Sequence, residues 1–263
     1  VGILENLGLA HLVAQEIGTA EVILRRAVAL GASNGLTYMR LGMALGFLGR
    51  MAEAVEMLQT AAAKLPGEPD IQLNLGNALA QTGKVEEAVA CFKKVLVLHP
   101  QHVDAHFNLG TLYRQMNRPE EAVDSYRRVI ELAEGYAEAH NNLGLVYAEL
   151  GRIEEAVGRF RRALELEPGQ AQAHNNLGNA LMAQGHREEA MASYEAGLAI
   201  DPGNPDACIN LAALLRQQGR VMDALGIYDA ALSRNPRFDE GHYQRGNTLR
   251  DLGRKDDAIA AYD

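Results

Sequence analysis

Glycine returns at a constant interval through this chain. Gly8, Gly42, Gly76, Gly110, Gly144, Gly178 and Gly246 stand 34 residues apart, and Ala212 fills the one gap in the series. Twelve residues after each comes alanine: Ala20, Ala54, Ala88, Ala122, Ala156, Ala190, Ala224 and Ala258. Four further on comes leucine or an aromatic ring: Leu24, Leu58, Phe92, Tyr126, Phe160, Tyr194, Tyr228 and Tyr262. A fixed period of this length marks an array of one small structural unit. With Val1 as slot 1, the frame runs without insertion through 1–34, 35–68, 69–102, 103–136, 137–170, 171–204 and 205–238 to a partial unit, 239–263. The whole of 1–263 therefore reads as a single repeat domain.

Each unit reads as two helices. The first covers slots 2–14 and ends at a slot 15 glycine, as at Gly49, Gly83 and Gly151, a left-handed stop signal. The second opens on acids such as Glu86-Glu87, Glu120-Glu121 and Glu154-Glu155, whose charge suits a helix N-terminus. Proline in slot 32 (Pro66, Pro100, Pro168, Pro202 and Pro236) closes it. Small residues at slots 8 and 20 let the two helices approach closely, and the slot 24 ring is expected to fill the space toward the next unit. One such hairpin cannot bury its apolar face alone, whereas a stack can, so the expected fold is all-α, an α-solenoid.

The spacing L-G…Y…A…F/Y…P over 34 residues resembles the tetratricopeptide repeat (TPR) family, and the resemblance covers the whole chain. It implies a right-handed superhelix with a concave groove that takes protein or peptide ligands. Departures are few. No tryptophan stands at slot 4; Asn117 replaces a turn glycine, Glu134 a closing proline and Arg245 a slot 7 leucine; the first unit carries Gln15 and Ala32 at its turn and close.

Helical periodicity gathers slots 3, 4, 7, 8, 10, 11 and 14 of the first helix on one, mostly apolar, side. Slots 2, 5, 6, 9, 12 and 13 fall opposite, on the side the resemblance assigns to the groove. Slot 6 there holds Asn6, Asn74, Asn108, Asn142, Asn176 and Asn210, broken by Arg40 and Gln244; slot 5 adds Asn141 and Asn175, and slot 9 adds Asn77, Asn179 and Asn247. The twice-used string AHNNLG is two columns of this surface. An amide both donates and accepts, so a row of amides suits the backbone of an extended peptide. Asn74, Asn77, Asn108, Asn141, Asn142, Asn175, Asn176, Asn179 and Asn210 are accordingly the candidate peptide-binding residues. The competing reading is passive inheritance: duplicated units keep a harmless residue, and exposed asparagine costs only a few tenths of a kcal/mol.

The motif wording also resembles the TPR arm of O-linked N-acetylglucosamine transferases and bacterial TPR scaffolds, which adds two alternatives. The chain is then the substrate-recruiting arm of a protein O-glycosyltransferase, or a self-assembling scaffold. The basic slots 2 and 5 of chaperone-docking TPR domains are acidic or apolar here, at Asp70, Leu73, Asp104 and Phe107, which argues against that mode. No P-loop, H-E-x-x-H, G-x-S-x-G or CxxC pair occurs, so no catalytic residue and no cofactor is expected.

Four histidines share slot 4: His106, His140, His174 and His242. Slot-equivalent residues in stacked hairpins sit on the order of 10 Å apart, whereas zinc needs nitrogens at about 2 Å. Hydrogen-bonded packing is expected there, not metal. His99, His102 and His106 surround one turn, but no acid or cysteine completes a site. The net charge of −9 argues against a nucleic-acid partner. No apolar run is long enough to insert in a membrane. Cys91 and Cys208, lone and apolar-flanked, fit a reducing compartment, and a cytoplasmic location is expected. Ile3, Leu4, Leu7, Ile259 and Tyr262 read as uncovered end faces, which implies either a piece of a longer chain or a homo-oligomer stacked through its ends.

Overall fold

A computed structural model describes residues 1–262 and is all-α, with sixteen helices and no strand among the described residues. The chain divides into two compact units, Val1–Ala133 and Glu134–Asp263. The first holds α1 (Gly2–Val13), α2 (Ile17–Ala29), α3 (Gly35–Phe47), α4 (Met51–Lys64), α5 (Pro69–Gln81), α6 (Val85–Leu98), α7 (Val103–Gln115) and α8 (Pro119–Leu132). The second holds α9 (Ala137–Glu149), α10 (Ile153–Leu166), α11 (Ala171–Ala183), α12 (Arg187–Ile200), α13 (Pro205–Gln217), α14 (Val221–Arg234), α15 (Asp239–Asp251) and α16 (Lys255–Tyr262). The partial last repeat runs to 263, one residue beyond those described. Within each unit, odd and even helices pair as hairpins, and the second helix of one hairpin packs on the first helix of the next.

First helices end one slot earlier than the periodicity predicts, at slot 13. The reason lies in the turn. In α3, Leu48 caps the helix, Gly49 takes φ +75°, and Arg50 N–H returns 2.9 Å to the Leu45 carbonyl, the backbone signature of a left-handed C-terminal cap. Gln15 and Asn117 hold the same turn at φ 59° and 54° without glycine. The returning bonds persist there, from Glu16 N–H to the His11 carbonyl and from Arg118 N–H to the Tyr113 carbonyl. The turn is thus imposed by its hydrogen bonds; glycine only lowers its steric cost.

The slot 24 side chain packs toward the next hairpin, as Leu24 does on Leu41, Leu45 and Ala54, and it has a second role. It lies over the slot 8 glycine of its own hairpin. A Cβ on Gly144 would stand 2.7 Å from Phe160 Cε1, and one on Gly76 would stand 2.6 Å from Phe92 Cε1. Both rings are 1% exposed and cannot swing away. The glycine is therefore the floor of a ring pocket, which explains why slots 8 and 24 keep a constant spacing of sixteen residues. Slot 20 alanines beside them are wholly buried or nearly so throughout.

Slot 4 histidines clamp the joint between hairpins. His106 Nε2–H donates to the Pro100 carbonyl at 2.9 Å, His174 to Pro168 at 3.1 Å and His242 to Pro236 at 3.0 Å. His140 reaches the Glu134 carbonyl at 3.3 Å in the same way. Each bond satisfies a turn carbonyl just past the C-cap of the preceding helix. No group of residues able to hold a metal ion occurs among the described residues, His99, His102 and His106 included.

Candidate functional site

The candidate asparagines stand in slots 5, 6 and 9 of the first helices, and the structure adds a register between them. In the first unit, Asn108 Nδ2 donates to Asn77 Oδ1 at 2.9 Å. In the second, Asn210 Nδ2 donates to Asn179 Oδ1 at 2.9 Å and more weakly to Asn175 Oδ1 at 3.5 Å, while Asn176 Nδ2 donates to Asn141 Oδ1 at 3.0 Å. Every one of these bonds runs from slot 6 back to slot 9 or slot 5 of the preceding repeat. The amides are therefore not independent columns but one splice between consecutive first helices.

The splice continues inward. Tyr194 Oη–H donates to Asn179 Oδ1 at 2.7 Å, so one amide oxygen receives a phenol from its own hairpin and an amide from the next. Burial pushes the Tyr194 hydroxyl up to about 12, which keeps it a proton donor at any ordinary pH. Tyr262 Oη repeats the contact to Asn247 Oδ1 at 3.0 Å, and Tyr126 Oη pairs with Thr111 Oγ1 at the same distance.

Exposure separates the nine candidates. Asn141, Asn175 and Asn176 are buried, at 8%, 2% and 7%. Asn176 also accepts from Gln172 Nε2 at 3.2 Å, so its amide is held from both sides. These three sit between first helices and not on an open wall, because slots 5 and 6 fall where adjacent first helices touch. Asn74, Asn77, Asn108, Asn142 and Asn210 are half-buried, and Asn179 is exposed. Asn74 Nδ2 is turned onto its own helix, at the Asp70 carbonyl, 2.8 Å away. Asn142 Oδ1 accepts from Asn141 Nδ2 at 3.3 Å.

Around Asn141 and Asn142 lies an open depression of about 700 Å³, walled also by Tyr136, Glu138, Gln170 and Gln172. Its polar side chains are amides, carboxylates and the Tyr136 phenol, with no basic side chain. The slot 2 acids Asp70, Asp104, Glu138, Asp206 and Glu240 are all exposed beside this face. Arg216, in slot 12, is paired with Asp251 of the next repeat. The sequence carried a signal for the asparagines in their period; it carried none for which of them the neighbouring repeat would cover.

Cys91 and Cys208 are free and buried, and burial raises both thiols, Cys208 to about 12. They are packing residues. No helix among the described residues is long and apolar enough to cross a membrane.

Family models described as tetratricopeptide repeat match residues 68–135, 141–205, 181–244 and, for a fourth model, 37–63 and 239–263. No curated protein sequence matches the chain. Solved structures do. A crystal structure of MamA is similar at 26% identity and TM-score 0.59, covering 64% of this chain and 91% of MamA. PilF of Pseudomonas aeruginosa is similar at 24% identity and TM-score 0.65, covering 73% and 88%. YrrB, described as a TPR protein with an unusual peptide-binding site, is similar at 23% identity and TM-score 0.59, covering 70% and 95%. At these identities the last two speak to the fold alone.

Proposed function

The chain belongs to the tetratricopeptide repeat family, and on that premise we propose that it is a non-catalytic protein-interaction module that holds an extended peptide against its asparagine-bearing face. The observation that carries the reading is the amide splice. An amide has two N–H donors and an oxygen with two lone pairs. One bond to a neighbour fixes its orientation and leaves capacity over. Asn77, Asn108, Asn142 and Asn210 present that remaining capacity to solvent, as does the amide NH2 of Asn179, whose oxygen already accepts from both Tyr194 and Asn210. Buried Asn141, Asn175 and Asn176 act as positioning residues behind them. A pre-oriented donor and acceptor loses little entropy on binding, which favours recognition of backbone over side chain.

MamA, PilF and YrrB share the fold, and YrrB's described peptide-binding site agrees with the class of ligand inferred here. The acids of slot 2 favour neutral or basic segments over acidic ones.

The test uses peptides selected from a random library on the wild-type chain. Asn142→Ala should weaken their binding by about tenfold while melting stays close to wild type, since the hydrogen bond that holds it is the 3.3 Å contact from Asn141. N-methylation of the peptide backbone should weaken binding comparably, since it removes the N–H that the remaining lone pair of Asn142 Oδ1 accepts. Undiminished affinity in both experiments leaves the asparagines as inter-repeat splices with no part in ligand binding.

A further inference from the structure

Slots 5, 9 and 13, which carry amides in several later repeats, carry apolar side chains at five positions of the first two. These are Leu9 and Val13 on α1, and Met39, Met43 and Phe47 on α3. Slot 13 is decisive. In the later repeats it holds Gln81, Gln115, Glu149, Ala183, Gln217 and Asp251, all exposed, so the fold requires no apolar residue there. Yet Val13 is 77% and Phe47 73% exposed. These side chains wall a depression of about 800 Å³ within the first unit. That volume lies in the range of ligand sites.

Residues four apart share a helix face. Leu9 and Val13 therefore form one row and Met39, Met43 and Phe47 a second, on helices that touch. At 1.5 Å per residue the second row is about 12 Å long. Arg40, in the slot 6 position that asparagine holds in six other repeats, is the one charged residue in the lining. Its guanidinium has no carboxylate partner among the described residues. Glu5, the slot 5 acid of the preceding repeat, instead accepts from Thr37 Oγ1 at 2.6 Å.

We infer that this depression docks an amphipathic helix of a partner protein, with aliphatic side chains on one face and a carboxylate placed to meet Arg40. An extended strand is the poorer occupant. Its backbone N–H and C=O groups would be desolvated against thioether and hydrocarbon walls that cannot pair with them. A helix satisfies its own backbone and offers anchors at i, i+4 and i+7 to such a groove. Methionine walls adapt to the shape of those anchors. The unpaired arginine supplies the charge complementarity that selects an acidic partner. This site stands independently of the amide face.

The probe is a fluorescein-labelled designed helical peptide with leucines at i, i+4 and i+7 and one flanking glutamate, read by anisotropy. Two control peptides accompany it: a scramble of the same composition, and a version with lysine for the glutamate. The wild-type chain should bind the helical peptide at least about tenfold more tightly than either control. Phe47→Gln, which installs the slot 13 residue of later repeats, should weaken it about tenfold. Arg40→Asn should erase the preference for glutamate over lysine, and Asn142→Ala should change nothing. Equal binding of helical and scrambled peptides overturns the proposal, as does an unaffected Phe47→Gln chain or a loss on Asn142→Ala. Concentration-dependent dimerisation in light scattering that Phe47→Gln abolishes also overturns it, because the occupant is then a second copy.

Discussion

Compare the first-helix face of repeats one and two with that of repeats five to seven. Both are built on the same 34-residue frame, and both place slots 5, 6, 9 and 13 on the side away from the second helices. In the later repeats those slots include Asn141, Asn175, Asn176, Asn179 and Asn210, which bond to one another across hairpins, and Asn142, which is bonded to Asn141 of its own helix. In the first two they hold Leu9, Val13, Met39, Met43 and Phe47, which leave hydrocarbon in water. The difference shows that the frame decides where a side chain goes and leaves open whether the scaffold or a partner uses it. The amides contribute to the stack's own cohesion and, on the proposed function, to binding as well; the apolar row contributes little to cohesion.

That contrast makes a graded set of expectations. The largest effect should come from the ring pocket of the later repeats, whose counterpart in repeats one and two sets Gly8 and Gly42 under Leu24 and Leu58. Gly144→Leu drives side-chain volume against the buried Phe160 ring and should cost about 1–3 kcal/mol or more, measured by urea denaturation; an unchanged midpoint would dismiss the ring pocket as a packing element.

Next is Asn176→Ala. It removes the partner of buried Asn141 and should cost about 1–3 kcal/mol, whereas loss confined to binding would show the splice to be mechanically idle. Asn108→Ala breaks a half-buried amide pair and should cost less, about 0.5–1.5 kcal/mol. A larger loss than at Asn176 would invert the burial argument.

A pH effect follows from the joint between hairpins. Burial lowers the His140 imidazole below its ordinary value, against the opposing pull of the Glu134 carbonyl. Nδ1 of the same ring is buried with no partner. The unfolded chain therefore takes up the proton first as pH falls. Stability contributed by the neutral ring is whole above the ordinary histidine value and declines as pH drops below about 6.5, until the folded state also protonates. Replacing His140 with Gln should flatten that part of the denaturation-midpoint profile; the same slope in both proteins would mean another group controls it.

The smallest stability effect belongs to the apolar row. Phe47→Gln should leave stability within about 0.5 kcal/mol, since the side chain is mostly exposed. A substantial loss would make Phe47 a structural residue and collapse the contrast between the two faces.

How legible was this in the sequence? The turn at slot 15 was fully legible, even where Gln15 and Asn117 stood for glycine. So was the packing of the slot 4 histidines, although their backbone partner six residues upstream was not. The asparagine columns were legible as a surface and illegible as a network. Asn142 and Asn176 share slot 6, and the period treats them alike, yet one is half-buried and the other sealed beneath Gln172. The slot 24 side chain was legible in its packing toward the next unit, where Leu24 meets Leu41, Leu45 and Ala54, but not in its second contact over its own slot 8 glycine, because slot spacing alone does not say which way a side chain leans. The apolar row of Leu9, Val13, Met39, Met43 and Phe47 was readable in the slots but passed over, since isolated apolar residues at groove positions carry no periodic signal of their own.

The amino-acid sequence by itself determined the hairpins, their turns and the side of each first helix that is left without a second-helix neighbour. Those follow from interactions among residues close along the chain, which repeat whenever the local pattern repeats. Only the tertiary structure decided that slot 6 meets slots 5 and 9 of the repeat before it, that Asn141, Asn175 and Asn176 are covered, and that each ring roofs its own glycine. These depend on the offset between stacked helices, and that offset is set by how whole side-chain volumes interlock across a hairpin joint, a quantity no single 34-residue unit contains.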